Sequence, residues 1–87
     1  MPLYEVRLLP AAQRQLRKFD AHDRQRLSSL IESLATTPRP VGARAMVDEP
    51  GYLRVRSGDY RVIYEVIDKE LIVIVAVIGH RRDVYRR

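Results

Sequence analysis

The sequence contains no cysteine among its 87 residues. Disulfides, thiolate metal sites and cysteine nucleophiles are therefore excluded together, which fits a reducing compartment. Long hydrophobic runs are also missing, since the longest, residues 71–79, is far shorter than the roughly 20 residues of a membrane-spanning helix. The N-terminus shows no signal-peptide pattern. We expect one small soluble domain over residues 1–87, located in the cytoplasm and without membrane contact.

Lysine is scarce as well, because fourteen of the sixteen basic residues are Arg and only two are Lys. The net charge is +5. Arg presents a planar fork of donors that matches phosphate, so this bias favours nucleic acid or an acidic protein as partner. A GC-rich genome would produce the same bias but would scatter Arg along the chain. The positions of the arginines therefore decide between the two explanations.

The arginines gather in residues 52–67, which predict a β-hairpin turning at Gly58 and Asp59, two residues that tolerate positive φ. Pairing Ser57 with Tyr60 separates the side chains of the two strands onto two faces. One face is apolar and holds Leu53, Val55, Val62, Tyr64 and Val66. The other holds Tyr52, Arg54, Arg56, Arg61, Ile63 and Glu65. A three-residue loop would instead move Arg61 to the face opposite Arg54.

Three arginines on one sheet face need a reason, because like charges directly opposite each other destabilise an antiparallel pair. A polyanionic partner supplies that reason. Solvated surface arginines are the alternative, and they are the better interpretation of any single one. For three together, we favour a surface that binds polyanions.

The remaining pattern predicts further elements on both sides of the hairpin. Residues 3–9 alternate and predict a first strand with Tyr4, Val6 and Leu8 turned inward. Pro10 ends that strand, and residues 11–19 then predict a short amphipathic helix. A second helix follows a polar break at residues 20–23, which holds two N-cap candidates, and it carries Leu27, Leu30, Ile31 and Leu34 at helical spacing.

A short edge strand is predicted at residues 44–47, and the β-branched run at residues 71–78 predicts a strand buried on both sides. The order is therefore β, α, α, short β, β, β, β. We expect an α+β fold in which an N-terminal strand and a two-helix hairpin accompany a mainly antiparallel sheet of four to five strands, with the helices packed on one face.

Chemistry-bearing residues follow the last strand, namely His80, Arg81, Arg82 and Tyr85. Histidine titrates near neutrality, a phenol can exchange a proton, and arginine can stabilise negative charge. The stretches GDYRVIYEV at 58–66 and IGHRRDVY at 78–85 are similar to those of the RelE/ParE toxin superfamily. The chain is nearer to RelE, and the similarity extends upstream over essentially the whole chain.

The resemblance implies a RelE-like fold and a toxin of a type II toxin–antitoxin system that cleaves mRNA in the ribosomal A site. In RelE-like ribonucleases the ribose 2′-hydroxyl attacks the adjacent phosphate without a metal or other cofactor, which leaves a cyclic phosphate. The catalytic residues implied are Arg54, Arg61, His80, Arg81 and Tyr85, and the RNA-binding residues are Tyr52, Arg56 and Arg82. Because arginine stays protonated, proton transfer falls to Tyr85 and His80.

The resemblance also implies partners. A RelB-like antitoxin in a toxin–antitoxin hetero-oligomer is expected, and so are the ribosome and mRNA, with contacts to 16S rRNA. Two alternatives stay open. One is a ParE-like toxin that poisons DNA gyrase without nuclease activity, and the other is a nucleic-acid-binding module that binds RNA without cleaving it.

Overall fold

The computed structural model describes residues 3–80, which form five strands, two α-helices and a 3₁₀ turn. Arg81, Arg82 and Tyr85 therefore lie outside the described residues. In chain order the elements are β1 (Glu5–Leu8), α1 (Pro10–Lys18), α2 (Ala21–Ser33), β2 (Arg44–Ala45), β3 (Leu53–Ser57), β4 (Tyr60–Ile67), the 3₁₀ turn (Asp68–Glu70) and β5 (Ile72–His80). The predicted α+β order is confirmed. Neither described helix is long and apolar enough to cross a membrane.

The five strands form one sheet in the order β1-β5-β4-β3-β2. The pairs β2–β3, β3–β4 and β4–β5 are antiparallel, whereas β1 runs parallel to β5. The expected mainly antiparallel sheet is confirmed, with a parallel pair at one side. Strand β5 lies between two neighbours, as its continuous apolar sequence predicted.

The two helices cover one face of the sheet, and their boundaries follow from local sequence. Pro10 opens α1, where its missing amide costs nothing. Asp20 caps α2, because its Oδ1 accepts a hydrogen bond from the Asp23 amide at 2.8 Å. The core between helices and sheet consists of Ala12, Leu27, Ile31, Leu34, Val55, Val62, Tyr64, Val73, Val75 and Ile78, with Tyr4, Val6 and Leu8 packed against it.

The hairpin has the predicted register, with Ser57 paired to Tyr60. Gly58 adopts φ +60°, whereas Asp59 is not among the residues with positive φ. Positive φ at the first central position alone is the pattern of a type II′ turn, so only Gly58 uses the freedom expected of both residues. The predicted alternation of the two faces therefore holds.

Several boundaries differ from the prediction, including those of β1, which is Glu5–Leu8 rather than residues 3–9, and of α1, which is Pro10–Lys18 rather than residues 11–19. Strand β2 is two residues long rather than four. Strand β5 starts at Ile72, because Leu71 has φ +55° and closes the preceding turn. It also continues through His80, which the prediction placed in a tail. A bulge interrupts the pairing of β4 with β5, where Ala76 is the extra residue.

The segment between α2 and β2 is tied to the sheet by polar contacts. The Tyr64 hydroxyl donates to the Pro38 carbonyl at 2.8 Å. Arg39 donates two hydrogen bonds to the Asp68 carboxylate, at 2.9 and 3.2 Å, and the Tyr4 hydroxyl donates to the same group at 2.7 Å. These contacts fix the loop against the central strand β4 and the 3₁₀ turn that follows it.

Candidate functional site

The sheet face away from the helices carries four arginines on three neighbouring strands. Arg54 of β3 pairs with Arg44 of β2, and Arg56 of β3 pairs with Arg61 of β4. Cross-strand partners point to the same side of a sheet, with Cβ atoms about 4.5–5.5 Å apart. Alternation along β3 then brings both pairs together. We call the surface formed by Arg44, Arg54, Arg56 and Arg61 the arginine face.

The four arginines of the arginine face differ in how deeply their side chains are buried. Arg61 is only 4% exposed, Arg54 is half-buried, and Arg44 and Arg56 are exposed. Burying a guanidinium is costly, and arginine cannot reduce the cost by losing its proton. Arg61 is therefore a fixed, buried positive charge beneath the arginine face, while the outer arginines are accessible to a partner.

A groove of about 670 Å³ lies along the outer side of β3. It exists because β2 pairs only with Leu53 and Arg54. On the side of β3 away from β4, residues 55–57 therefore have no strand next to them among residues 3–80. Its lining is largely basic and includes Val41, Gly42, Arg44, Arg54, Arg56 and Gly58. An extended phosphodiester strand would meet guanidinium groups throughout such a groove.

Arginines can bind phosphate and stabilise negative charge that develops on it, but they are poor proton acceptors. A reaction at this face therefore needs a proton acceptor other than the four arginines. No group of three or more His, Asp or Glu side chains that could hold a metal ion occurs within residues 3–80.

His80 is separated from the arginine face. It pairs with Tyr60 across β4 and β5, and the two rings meet edge to face with centroids 5.7 Å apart. Tyr60 shares the helix-covered face, because it alternates with Arg61 along β4. The resemblance grouped His80 with Arg54 and Arg61 as catalytic, whereas the structure places it on the opposite face of the sheet from them. The cause of this difference is that β5 continues two residues further than its apolar run.

Tyr60 is held from the helix side. Its hydroxyl donates to Asp23 Oδ2 at 2.9 Å, and its ring centroid lies 4.7 Å from that of Phe19. The hydrogen bond to Asp23, together with burial, raises the pKa of the Tyr60 phenol above its usual value. Within residues 3–80, His80 therefore packs against an aromatic ring whose hydroxyl is bonded to a carboxylate.

The structure adds Arg44 and Arg26 to the residues that sequence reasoning singled out. Arg44 joins the arginine face through its pairing with Arg54. Arg26 of α2 reaches the hairpin tip from the other side, where its Nη2 lies 3.4 Å from Ser57 Oγ. A two-residue strand has no periodicity to detect, and Arg26 lies 31 residues from its contact in sequence. Neither carried a local signal.

Among the predicted RNA-binding residues, Arg56 lies on the arginine face, and half-buried Tyr52 immediately precedes β3 on the same side. Tyr52 lines a smaller hollow next to Arg54, together with Ile63. Arg54 and Arg61, predicted to be catalytic, are brought together with Arg56. The roles of Arg81, Arg82 and Tyr85 stay predictions.

A helix-backed sheet with a basic open face defines the class of protein, and comparison with known proteins agrees. Residues 6–85 match the family described as the ParE toxin of the type II toxin–antitoxin system, parDE. The chain therefore belongs to the RelE/ParE superfamily of type II toxin–antitoxin toxins.

Two curated relatives cover nearly the whole chain. Toxin RelG of Mycobacterium tuberculosis is 31% identical over an alignment of 88 positions, which covers 97% of this chain and 98% of the relative. A putative RelE-like toxin protein of Escherichia coli is 27% identical over 85 residues, covering 94% of this chain and 90% of the relative.

Solved structures confirm the fold. The RelBE2 toxin–antitoxin complex of Mycobacterium tuberculosis contains a chain that matches with a TM-score of 0.81 and 25% identity, over 91% of this chain and 99% of that one. The isolated RelE toxin of Escherichia coli matches with a TM-score of 0.76 and 23% identity, over 88% and 83%. The expected RelE-like fold is therefore established.

Proposed function

We propose that this chain is a ribosome-dependent endoribonuclease that cleaves mRNA in the ribosomal A site and thereby inhibits translation. The observation that carries the proposal is the arginine face, in which a buried guanidinium and three more accessible ones share one open sheet surface. Like charges at this spacing cost stability, and a polyanionic substrate would offset that cost.

The proposed reaction needs no metal. The ribose 2′-oxygen loses its proton and bonds to the adjacent phosphorus, while the bond from phosphorus to the 5′-oxygen breaks. The 5′-oxygen takes up a proton, so the products are a 2′,3′-cyclic phosphate and a free 5′-hydroxyl. Arg54 and Arg61 bind the phosphate, and Arg81 stabilises the charge of the pentacoordinate state.

Proton removal from the 2′-hydroxyl requires a group that can accept it, which the arginines are not. Tyr85 and His80 are the two proposed proton-transfer residues. His80 packs against Tyr60 on the helix-covered side of the sheet. That position favours Tyr85 as the base and leaves His80 as the second candidate.

The proposed partners are a RelB-like antitoxin and the ribosome with its mRNA and 16S rRNA, all in the cytoplasm. Several structurally similar toxins were crystallised with an antitoxin, including the RelBE2 complex of Mycobacterium tuberculosis and the intact RelBE complex of Escherichia coli. The net charge of +5 suits an acidic antitoxin that masks the arginine face in a hetero-oligomer.

A second candidate function is poisoning of DNA gyrase without nuclease activity. The observation that favours it is the match of residues 6–85 to the family named for ParE toxins. A gyrase poison would have no need of Arg81 and Tyr85 as reacting groups. Variants at these two residues therefore discriminate between the candidates.

The experiment combines primer extension on mRNA in translating ribosomes with a gyrase supercoiling assay. Wild type, Arg81→Ala and Tyr85→Phe are compared in both. We expect cleavage within A-site codons that falls about 100-fold or more in each variant, since each removes a group acting in the transition state. Inhibition of gyrase without RNA cleavage would instead establish the second candidate.

A further inference from the structure

A hollow of about 250 Å³ lies on the open face of the sheet, beside the arginine face. Its lining is apolar except at one side and consists of Leu9, Glu49, Tyr52, Ile63, Ala76 and Val77. The volume lies just below the range of roughly 300–1,000 Å³ that is typical of sites for drug-sized ligands. It therefore suits a group about as large as one nucleobase.

The strand register fixes the hollow relative to the phosphate-binding arginines. Ile63 is the direct cross-strand partner of Arg54 and also pairs with Val77 of β5. Arg61 is two residues from Ile63 on the same side of β4, which is about 7 Å along the strand. The hollow thus adjoins half-buried Arg54, which would hold a phosphate, and the buried positive charge of Arg61.

A rigid turn presents the polar side of the hollow. The Tyr52 amide donates to the Glu49 carbonyl at 3.1 Å, which closes a β-turn over Glu49, Pro50, Gly51 and Tyr52. Gly51 has φ +90°, and Pro followed by Gly in the central positions is the type II pattern. The turn therefore fixes the backbone of Glu49 and Tyr52 side by side before any ligand binds.

We infer that this hollow is a nucleobase site that reads one base of the RNA whose phosphate lies on Arg54, next to the buried charge of Arg61. This inference rests on the proposed function and adds base selection to it. Tyr52 supplies an aromatic surface for stacking, and Ile63, Ala76 and Val77 supply an apolar floor. An aromatic platform beside a basic groove is the combination by which proteins bind single-stranded nucleic acid.

Glu49 determines which bases the site prefers. A carboxylate accepts hydrogen bonds and donates none, so it favours bases with an exocyclic amino group. Adenine, cytosine and guanine each carry one, whereas the only base-edge donor of uracil is its ring N3–H, which lies between two carbonyl oxygens that repel a carboxylate. The site therefore selects against uracil at the base that enters it.

An antitoxin segment is the competing occupant of an apolar hollow. The arginines next to the hollow favour RNA, because an RNA strand carries a phosphate at every nucleotide and an inserted base therefore always brings one to Arg54. An acidic antitoxin would bring charge to the arginine face only where its carboxylates happen to lie. The competing occupant is an outcome that the test detects.

The test maps cleavage sites across a transcript for wild type, Tyr52→Ala, Tyr52→Phe and Glu49→Gln, with Glu70→Gln as a matched control in the distant 3₁₀ turn. We expect wild type to cleave less often where uracil occupies one particular codon position. Tyr52→Ala should lower this bias about tenfold, whereas Tyr52→Phe should keep it because the stacking ring is retained. Glu49→Gln lowers the bias about tenfold as well, since an amide can also donate to uracil, whereas Glu70→Gln leaves it unchanged.

Binding of single-stranded adenine and uracil oligomers, measured by fluorescence anisotropy, gives a readout that does not depend on cleavage. We expect wild type to prefer the adenine oligomer and Glu49→Gln to lose the preference. If wild type cleaves RNA but neither variant changes the profile, the base site is wrong and the nuclease proposal stands. If wild type does not cleave RNA, the nuclease proposal fails. If wild type also binds the adenine and uracil oligomers equally, the base site fails too. Weaker antitoxin binding by Tyr52→Ala with an unchanged profile would assign the hollow to the antitoxin.

Discussion

Asp68 is the residue on which three parts of the chain converge. Its carboxylate accepts two hydrogen bonds from Arg39 of the loop after α2 and one from Tyr4 of the N-terminal segment. The contact with Arg39 is the main reason why the pKa of the Asp68 carboxyl is lowered, and the bond from Tyr4 lowers it further. The charged form of Asp68 therefore stabilises the folded state.

This predicts a defined pH dependence. Because the pKa of Asp68 is lower when the chain is folded, its contribution is present above the ordinary value of 3.8 and is lost as pH falls through the folded-state value. Asp68→Asn should therefore lower the free energy of unfolding at about pH 7, and its difference from wild type should shrink at about pH 3. Urea unfolding at both pH values measures this. Asp48→Asn is the control, and a constant difference for Asp68→Asn would contradict the account.

Single residues of the site differ in how far sequence could predict them. Arg54, Arg56 and Arg61 were predicted on one face, because strict alternation and a glycine turn determine which way each side chain points. Arg44 was not, since its strand is too short to show a period. His80 was misplaced because polarity changes after Ile78, although the backbone pairing with β4 continues.

Leu71 connects the 3₁₀ turn to β5 and has an unfavourable backbone conformation. It follows the 3₁₀ turn with φ +55°, donates its amide to the Asp68 carbonyl at 3.2 Å, and is 40% exposed. A branched residue in this region carries a steric cost of roughly 1–2 kcal/mol, which Asn tolerates better. The turn geometry is therefore maintained against the preference of its own residue.

Leu71→Asn should have a thermal midpoint of unfolding about 4–8 °C above that of Leu71→Ala, the difference expected for 1 kcal/mol in a domain of this size. Leu71→Ala is the matched control, because it removes the same side-chain contacts but keeps the steric cost. Differential scanning calorimetry of the three proteins provides the comparison. Equal midpoints for the two variants would show that the backbone of Leu71 is not strained.

The elements themselves were largely predictable because each carries a local signal. The helices have proline or aspartate at their starts and apolar stripes, and the hairpin has alternation around a glycine. The bulge at Ala76 had no such signal, since a strand that is apolar on both faces shows no alternation for an extra residue to interrupt. Its consequence is local, because it places a small residue in the wall of the hollow.

The whole molecule divides its sheet between two tasks. One face buries the core beneath two helices, and the other displays the arginine face, the groove and the hollow. The basic residues of the two helices are exposed to solvent. If the open face binds the substrate, removing positive charge from that face should lower activity much more than removing positive charge from the helices.

The most direct measurement is primer extension on mRNA in translating ribosomes with two double variants of equal charge loss. Arg54→Ala/Arg56→Ala removes two arginines of the open face, and Arg14→Ala/Arg17→Ala removes two exposed arginines of α1. We predict that the first pair lowers the cleavage rate by about 100-fold or more, through lost stabilisation of phosphate charge, and that the second leaves it nearly unchanged. Equal losses for both pairs, or no cleavage by wild type, would contradict the assignment of RNA cleavage to the arginine face.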